Sequence, residues 1–265
     1  MAHAASSRLP GGVPDCRCTR IRERSMSLGV DFDTSFDFRA DTPHRKDPDA
    51  HSPTLRSYHQ RLWSKPLPSG DPFPLSTATR GAYLHHQSGL GEFCLTSDSA
   101  IPSFRYVGRF AKVAAQLPES EIREFQRECY TIGAMTVWPG TRVGRQWTIN
   151  QARGCLRKIS DRFDLTLECV RRHYKGVPSP LEGVFLRYAS FFALFRDFDG
   201  FTEFFLLHDL VTEDRSSVRF FMPFSDFAGS AIPSSVEEFR RYRTQAAEFI
   251  RVRAQQMREY LSVSS

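Results

Sequence analysis

Phenylalanine is concentrated in one stretch of this chain, and that stretch limits the folds that the sequence can adopt. The chain has 265 residues and 23 phenylalanines, and twelve of these lie between residues 185 and 227. They recur at helix and strand spacings, and aromatic side chains of this size bury a large apolar area when a protein folds. The sequence therefore predicts a phenylalanine-rich core, with a ligand pocket lined by the rings as the less favoured alternative.

Helix caps and short apolar segments indicate the order of the elements. Serine followed by proline at the first helical position marks helix starts at Ser52 and Ser179, and Thr148-Ile149-Asn150-Gln151 forms a capping box. Helices are predicted at 53–65, 119–130, 180–195, 235–261 and from 149 onward, and strands at 82–87, 92–96, 135–138 and 218–224. Because these elements do not alternate as βαβ units, we expect a single α+β domain. It should be mostly helical, with a small antiparallel sheet.

Residues 1–25 differ in composition from the rest of the chain. They are rich in alanine, serine, glycine, proline and arginine and show no periodicity, so we expect them to be disordered. The first structured segment opens at Met26, which fits better than Met1 as the start of translation. The globular domain is therefore predicted over residues 26–265.

Leader, membrane and cysteine patterns bear on the compartment. The sequence has no apolar leader and no run of about 18 apolar residues, which favours a cytoplasmic protein without a membrane partner. None of the six cysteines forms a Cys-x-x-Cys pair, and we expect those at 94, 129, 155 and 169 to be reduced and packed. No metal site and no cofactor is predicted.

The segment Asp161–Tyr174 combines an apolar stripe with a charged arc. At about 100° per residue its apolar side chains fall together on one side of a helix. The opposite side carries Asp161, Asp164, Glu168, Arg171 and Arg172. If the helix that begins near Ile149 continues through Ser160, Arg153 and Arg157 join this arc.

Basic residues dominate the same part of the chain. Residues 142–175 hold nine lysines and arginines against three acidic residues, a local charge of +6. The planar guanidinium fork matches phosphate oxygens, so a nucleotide or nucleic acid is the first predicted partner. The candidate phosphate-binding residues are Arg153, Arg157, Arg171 and Arg172. A solvated helix surface laced with salt bridges explains the same pattern without a ligand.

Two other functions remain open at this stage. The basic face could meet an acidic protein, as in an immunity or antitoxin-like interaction module. A metal-dependent hydrolase would instead use Asp164 and Glu168 as catalytic carboxylates, together with an acid from the Asp31–Asp49 loop. The sequence does not decide whether the protein is an enzyme.

Several blocks of the sequence resemble those of one known family. They are 32–39 (FDTSFDFR), 52–68 (SPTLRSYHQRLWSKPLP), 149–154 (INQARG), 161–174 (DRFDLTLECVRRHY) and 204–211 (FFLLHDLV). Together they resemble an uncharacterised bacterial family, a domain of unknown function found in actinobacteria and other bacteria. The resemblance covers about residues 30–260 and implies a single domain that starts near Met26. It implies no activity, ligand or catalytic residue.

Overall fold

The structure, a computed structural model, describes residues 32–263, and this part of the chain contains ten α-helices and one three-stranded sheet, joined by 3₁₀ turns and loops. The helices are α1 Pro48–His51, α2 Pro53–Trp63, α3 Ala111–Ala114, α4 Glu119–Glu128, α5 Ile149–Cys155, α6 Phe163–Tyr174, α7 Glu182–Phe185, α8 Ala189–Ala193, α9 Phe198–Phe204 and α10 Val236–Val263. The strands are β1 Leu84–Ser88, β2 Gly91–Ser99 and β3 Met135–Pro139. The predicted α+β class is confirmed. Residues 1–25 and Met26 lie outside the described residues.

The sheet is antiparallel, with β2 in the middle. In the β1–β2 hairpin His85 lies opposite Cys94, and on the other side of β2 Leu95 lies opposite Pro139. Side chains alternate between the two faces of β2, so Phe93 and Leu95 point into the core and Cys94 points away from it. The hairpin and β3 occur where the alternating pattern predicted them.

The phenylalanine-rich stretch forms the core, as predicted. Phe192 and Phe195 expose 1% and 0% of their surface. Rings of α8 and of the turn that follows it pack against those of α9 with centroids about 5–6 Å apart, and Trp63 of α2 packs on Phe205 at 5.2 Å. This cluster joins α2 to the helices of the second half of the chain.

Helix α10 is held to the core through the backbone of residues far away in the sequence. Arg253 is fully buried and donates hydrogen bonds to the carbonyl oxygens of Phe205 (3.1 and 3.2 Å), Gly133 (3.1 Å) and Met135 (2.8 Å). Burial lowers the pKa of this guanidinium to about 9. A Cβ on Gly133 would lie 2.1 Å from the carbonyl oxygen of Ile250, so only glycine allows α10 to come this close.

Two predicted elements are wrong in extent or type, the helix 180–195 and the strand 218–224. The helix from Ile149 begins as predicted but ends at Cys155, so it does not continue through Ser160, and the predicted helix 180–195 is divided into α7, a 3₁₀ turn at Leu186–Tyr188, and α8. Ser179 does not cap it, and Tyr188 leaves helical geometry while its hydroxyl donates to the carbonyl of Thr141 (2.9 Å). Residues 218–224 form only an isolated bridge, at Val218, because their backbone bonds to side chains and loops instead of a strand.

Cys129 and Cys169 are buried, as expected, whereas Cys155 is exposed, and these three and Cys94 are free thiols. None of the helices in residues 32–263 pairs enough length with enough apolar character to span a bilayer.

Candidate functional site

Helix α6 carries its charges inside the protein. All of its residues from Phe163 to Val170 are buried, so the predicted solvated face does not exist over this length. Asp164 is fully buried and forms an ion pair with Arg162, whose Nε lies 3.1 Å from Oδ1. Its second oxygen accepts the backbone N–H of Phe221 at 3.0 Å. The carboxylate thus holds a loop 57 residues away and has no exposed surface.

Glu168 is held in the same way by the two arginines that follow it. Arg171 donates to both carboxylate oxygens (2.7 and 2.8 Å), and Arg172 donates to one of them (2.7 Å). Burial raises the pKa of Glu168, but these hydrogen bonds outweigh it and leave the pKa below its ordinary value. Arg172 also pairs with Asp226, so much of the positive charge of these arginines is neutralised within the protein.

Arg153 and Arg157 do not join α6. The chain between the two helices turns through left-handed conformations at Ser160 and Asp161 (φ 47° and 61°), which breaks the predicted continuous arc. Arg153 points into the core, where it pairs with Asp98 and donates to the carbonyl of Asp161 at 2.7 Å. Arg157 is exposed in the loop after α5. Of the predicted phosphate ligands, it alone lies fully at the surface.

Open positive charge gathers instead in a groove of about 420 Å³ beside the start of α5, here called the Trp147 groove. It is lined by Arg145, Gln146, Trp147, Leu156, Pro180, Gly183, Val184 and Arg187. The lining contains two arginines and no acidic residue. Half of the Trp147 surface is exposed, which is unusual for so large an apolar side chain.

Local structure positions the groove. The capping box at Thr148, with Thr148 N–H donating to Gln151 Oε1 (3.2 Å), fixes the chain immediately after Trp147. Arg187 donates to the carbonyl oxygens of Trp147 (2.8 Å) and Gly183 (2.6 Å), so it joins the two walls. Among the described residues, neither Arg187 nor Arg145 forms an ion pair with a carboxylate.

The surroundings keep this region basic. The sequence from Cys129 to Ser160 contains no aspartate or glutamate, and Arg142 and Arg145 are both exposed within it. The positive charges of Arg187 and Arg142 lower the pKa of Tyr188, but burial raises it by more. Glu182 is the acidic residue that directly precedes Gly183 of the lining. Its negative charge raises the pKa of His173 of α6, although burial lowers that pKa by more. An anion in the groove would therefore meet guanidinium groups without a competing carboxylate in the walls.

A second cavity, of about 390 Å³, lies between α1, α2 and β2 and is here called the Asp49 pocket. Its polar lining includes Asp47, Asp49, Arg56, Tyr83, Thr96, Ser97 and Asn150. Asp49 accepts hydrogen bonds from the Ser97 hydroxyl (3.1 Å) and the Ser99 N–H (3.2 Å). Burial, with a contribution from the nearby charge of Asp47, raises the pKa of Asp49 to about 6.

A buried hydrogen-bond chain runs behind this pocket. Trp63 Nε1 lies 3.0 Å from His59 Nδ1, and His59 Nε2 lies 3.0 Å from Ser97 Oγ. An indole N–H only donates, so Nδ1 accepts and Nε2 carries the proton of the imidazole. His59 therefore donates to Ser97 and cannot be the base that would make it a nucleophile. Burial lowers the pKa of His59 to about 3 and keeps the ring neutral.

One polar atom in the wall of the Asp49 pocket, the buried Oδ1 of Asn150, has no hydrogen-bond partner among the described residues. Buried polar groups are nearly always paired, so an unpaired one in a cavity wall is typical of a place where a ligand or water binds. The pocket thus combines a titratable carboxyl group with one available amide oxygen.

Sequence reasoning missed most of both sites. The acid-free stretch around Trp147 was a usable signal, because exposed tryptophan among arginines is a pattern of nucleic-acid surfaces. The chain His59–Ser97–Asp49 gave no such signal, since its members are 38 and 48 residues apart. A further cavity, of about 780 Å³ between α4 and α10, mixes acidic and basic residues and favours no class of ligand.

The fold and these sites define a single-domain α+β protein with a phenylalanine-rich core, a basic groove and an acidic pocket. The chain belongs to a family of unknown function, DUF6994, which matches residues 32–257. A family of unknown function over about residues 30–260 was expected from the sequence, and that expectation is confirmed. No match was found among curated proteins or among solved structures.

Proposed function

We propose that the protein binds a phosphate-bearing partner, a nucleotide or a single-stranded nucleic acid, in the Trp147 groove. The observation that carries this proposal is a concave lining that offers two guanidinium groups and a half-exposed indole but no carboxylate. Guanidinium groups bind phosphate oxygens in a bidentate manner. An exposed indole provides a surface on which a base stacks.

The proposal keeps part of the predicted site. Arg157 directly follows Leu156 of the lining and supplies a flanking charge. Arg171 and Arg172 contribute less, because Glu168 and Asp226 already bind them. Arg153 and Asp164 act from the core, where they hold the loops next to α5 and α6.

Tryptophan fluorescence tests this proposal directly. Trp63 and Trp138 are buried, so quenching by a single-stranded oligonucleotide reports on Trp147. We expect saturable quenching whose affinity falls as salt rises, because phosphate binding releases counterions. Arg145→Ala should weaken binding and reduce the salt slope by about one. Arg80→Ala, which removes an exposed arginine outside the groove, should leave both unchanged.

The same titration separates the alternative function. An acidic polypeptide such as polyglutamate that quenched Trp147 more tightly than the oligonucleotide would support a protein-interaction surface for an acidic partner. If neither the oligonucleotide nor polyglutamate quenched the fluorescence, nucleic-acid binding in this groove would be contradicted. Equal losses of oligonucleotide affinity in Arg145→Ala and Arg80→Ala would contradict it as well.

Proton transfer in the Asp49 pocket is a second candidate function. It is favoured by one observation, a carboxyl group with a pKa of about 6 in a cavity whose wall holds the unpaired Oδ1 of Asn150. A carboxylate poised near neutral pH is a suitable general base. Hydrolysis of a panel of p-nitrophenyl esters and phosphate esters should rise as pH passes through about 6. Asp49→Asn should abolish it, and undiminished turnover in that variant would exclude this role.

A further inference from the structure

The outer face of the β1–β2 hairpin brings together an imidazole, a carboxylate and a thiol. His85 lies directly opposite Cys94, and Glu92 precedes Cys94 by two residues on the same face of β2. One ligand-type atom from each of the three side chains lies within 4.8 Å of the other two. His85 Nε2 is 2.9 Å from Glu92 Oε1, and His85 Nδ1 is 3.1 Å from the hydroxyl of Thr79.

We infer that this cluster is a binding site for a divalent transition metal ion, Zn²⁺ above all. Imidazole nitrogen, thiolate sulfur and carboxylate oxygen are the three side-chain ligands that zinc takes, at about 2.0–2.3 Å. Ligand atoms around one such ion are about 3.3–3.8 Å apart, so small side-chain rotations suffice. Magnesium and calcium prefer sites made only of oxygen and are not suited to this one.

The surroundings fit an ion with three protein ligands. When Nδ1–H of His85 donates to Thr79, the lone pair of Nε2 is directed toward the ion, as is usual for metal-binding histidines. On binding, the Cys94 thiol releases its proton to water. The proton that Nε2 of His85 donates to Glu92 moves through water to Nδ1, and the ion takes its place between Nε2 and the carboxylate. Glu92 is exposed and the other two ligands are partly exposed, so the ion can enter from solvent and keep a fourth position for water.

The alternative that needs no metal ion is an ion pair between His85 and Glu92 near the surface. Such pairs contribute about 0–1 kcal/mol and require no thiol, so they leave the position of Cys94 without a role. The sequence alone did not show the cluster, because its members meet only through the hairpin register. Residues 85, 92 and 94 match no zinc spacing that is read along the chain.

Cobalt provides the test, because a bound thiolate gives Co²⁺ a charge-transfer absorption band. The full chain should carry Cys16→Ser and Cys18→Ser, because two thiols so close in the sequence could bind Co²⁺ by themselves. After treatment with a chelator, we expect one Co²⁺ per chain with this band, and displacement of Co²⁺ by Zn²⁺. Thr79→Val, which removes the partner of Nδ1, should weaken the affinity by about tenfold.

Matched variants decide the assignment. Cys94→Ser should abolish the charge-transfer band, and His85→Gln and Glu92→Gln should each abolish stoichiometric binding. Cys155→Ser removes the other accessible thiol and should change nothing. A band that persists in Cys94→Ser but disappears in Cys155→Ser, or the absence of saturable binding by the starting protein, would overturn the site. Within residues 32–263 every substituted side chain is at least partly exposed, and an unchanged melting temperature would confirm that each variant is folded.

Discussion

At the scale of single residues, the hydrogen-bond chain behind the Asp49 pocket joins two groups that respond to pH in opposite ways. Burial holds the pKa of His59 near 3, against an ordinary value of 6.5, and that of Asp49 near 6, against 3.8. Below pH 6.5 His59 takes up a proton in the unfolded chain but not in the folded protein. The contribution of His59 to the free energy of unfolding is therefore lost as pH falls. Between pH 3.8 and 6 the folded protein keeps the proton on Asp49, so its contribution is lost as pH rises. The two slopes nearly cancel.

Removing either group should therefore reveal the slope of the other. Relative to the starting protein, we expect the free energy of unfolding of Asp49→Asn to fall by about 1.4 kcal/mol per unit as pH drops from 6 to 4. His59→Gln should show the opposite trend over the same range. Urea unfolding at pH 4, 5 and 6 measures both. Variants whose curves stay parallel to that of the starting protein would show that neither pKa is displaced.

At the scale of elements, α6 is a helix whose charged residues are structural. Asp164 and Arg162 pair in the core, and Asp164 also binds the backbone of Phe221. This bond explains why residues 218–224, which alternate like a strand, do not form one. A propensity for extended structure reports on neighbouring residues, whereas this partner is 57 positions away.

Breaking the buried pair should be costly. Asp164→Asn leaves the Arg162 guanidinium without its counter-charge, and such losses cost about 3–5 kcal/mol. Glu237→Gln breaks an exposed pair with Arg241 on α10 and should cost less than about 1 kcal/mol. Denaturant unfolding of the two variants compares them. Equal and small effects would mean that water reaches the α6 pair and that its face is open after all.

Some helix starts were predictable, although the one at Ser179 was not, and the helix ends were less so. The capping box at Thr148 is complete within four residues, so the sequence shows where α5 begins. Its end at Cys155 depends on Arg153 turning inward to Asp98 and Thr166, which are contacts across the fold. Local chemistry can be seen in a sequence, but the tertiary contacts that override it cannot.

At the scale of the whole molecule, the phenylalanine-rich core was the most predictable feature. Apolar content and spacing are enough to place Phe192 inside, whatever the exact order of helices. The two pockets were much less predictable, because each is assembled from loops and helix ends that only the complete fold brings together. The groove left a compositional trace in its acid-free stretch, and the Asp49 pocket left none.

The core prediction has a simple mutational check. Phe192→Ala should destabilise the protein by about 3–5 kcal/mol, through lost burial and the cavity that remains. Leu186→Ala is the matched control, since Leu186 is 61% exposed although it lies in the same aromatic region, and it should change stability by about 0.5 kcal/mol or less. Calorimetric melting of both variants measures the difference. A nearly neutral Phe192→Ala would indicate that this ring serves an interface.

The hydrogen bonds of Arg253 have a consequence for how the chain is made. Its carbonyl partners at Gly133 and Met135 are synthesised 120 and 118 residues earlier. While the ribosome adds the intervening residues, these carbonyl oxygens have no guanidinium from which to accept hydrogen bonds. The core of the nascent chain is therefore incompletely packed during this time. These bonds form only when α10 has left the exit tunnel, so packing of this helix completes the interior of the domain.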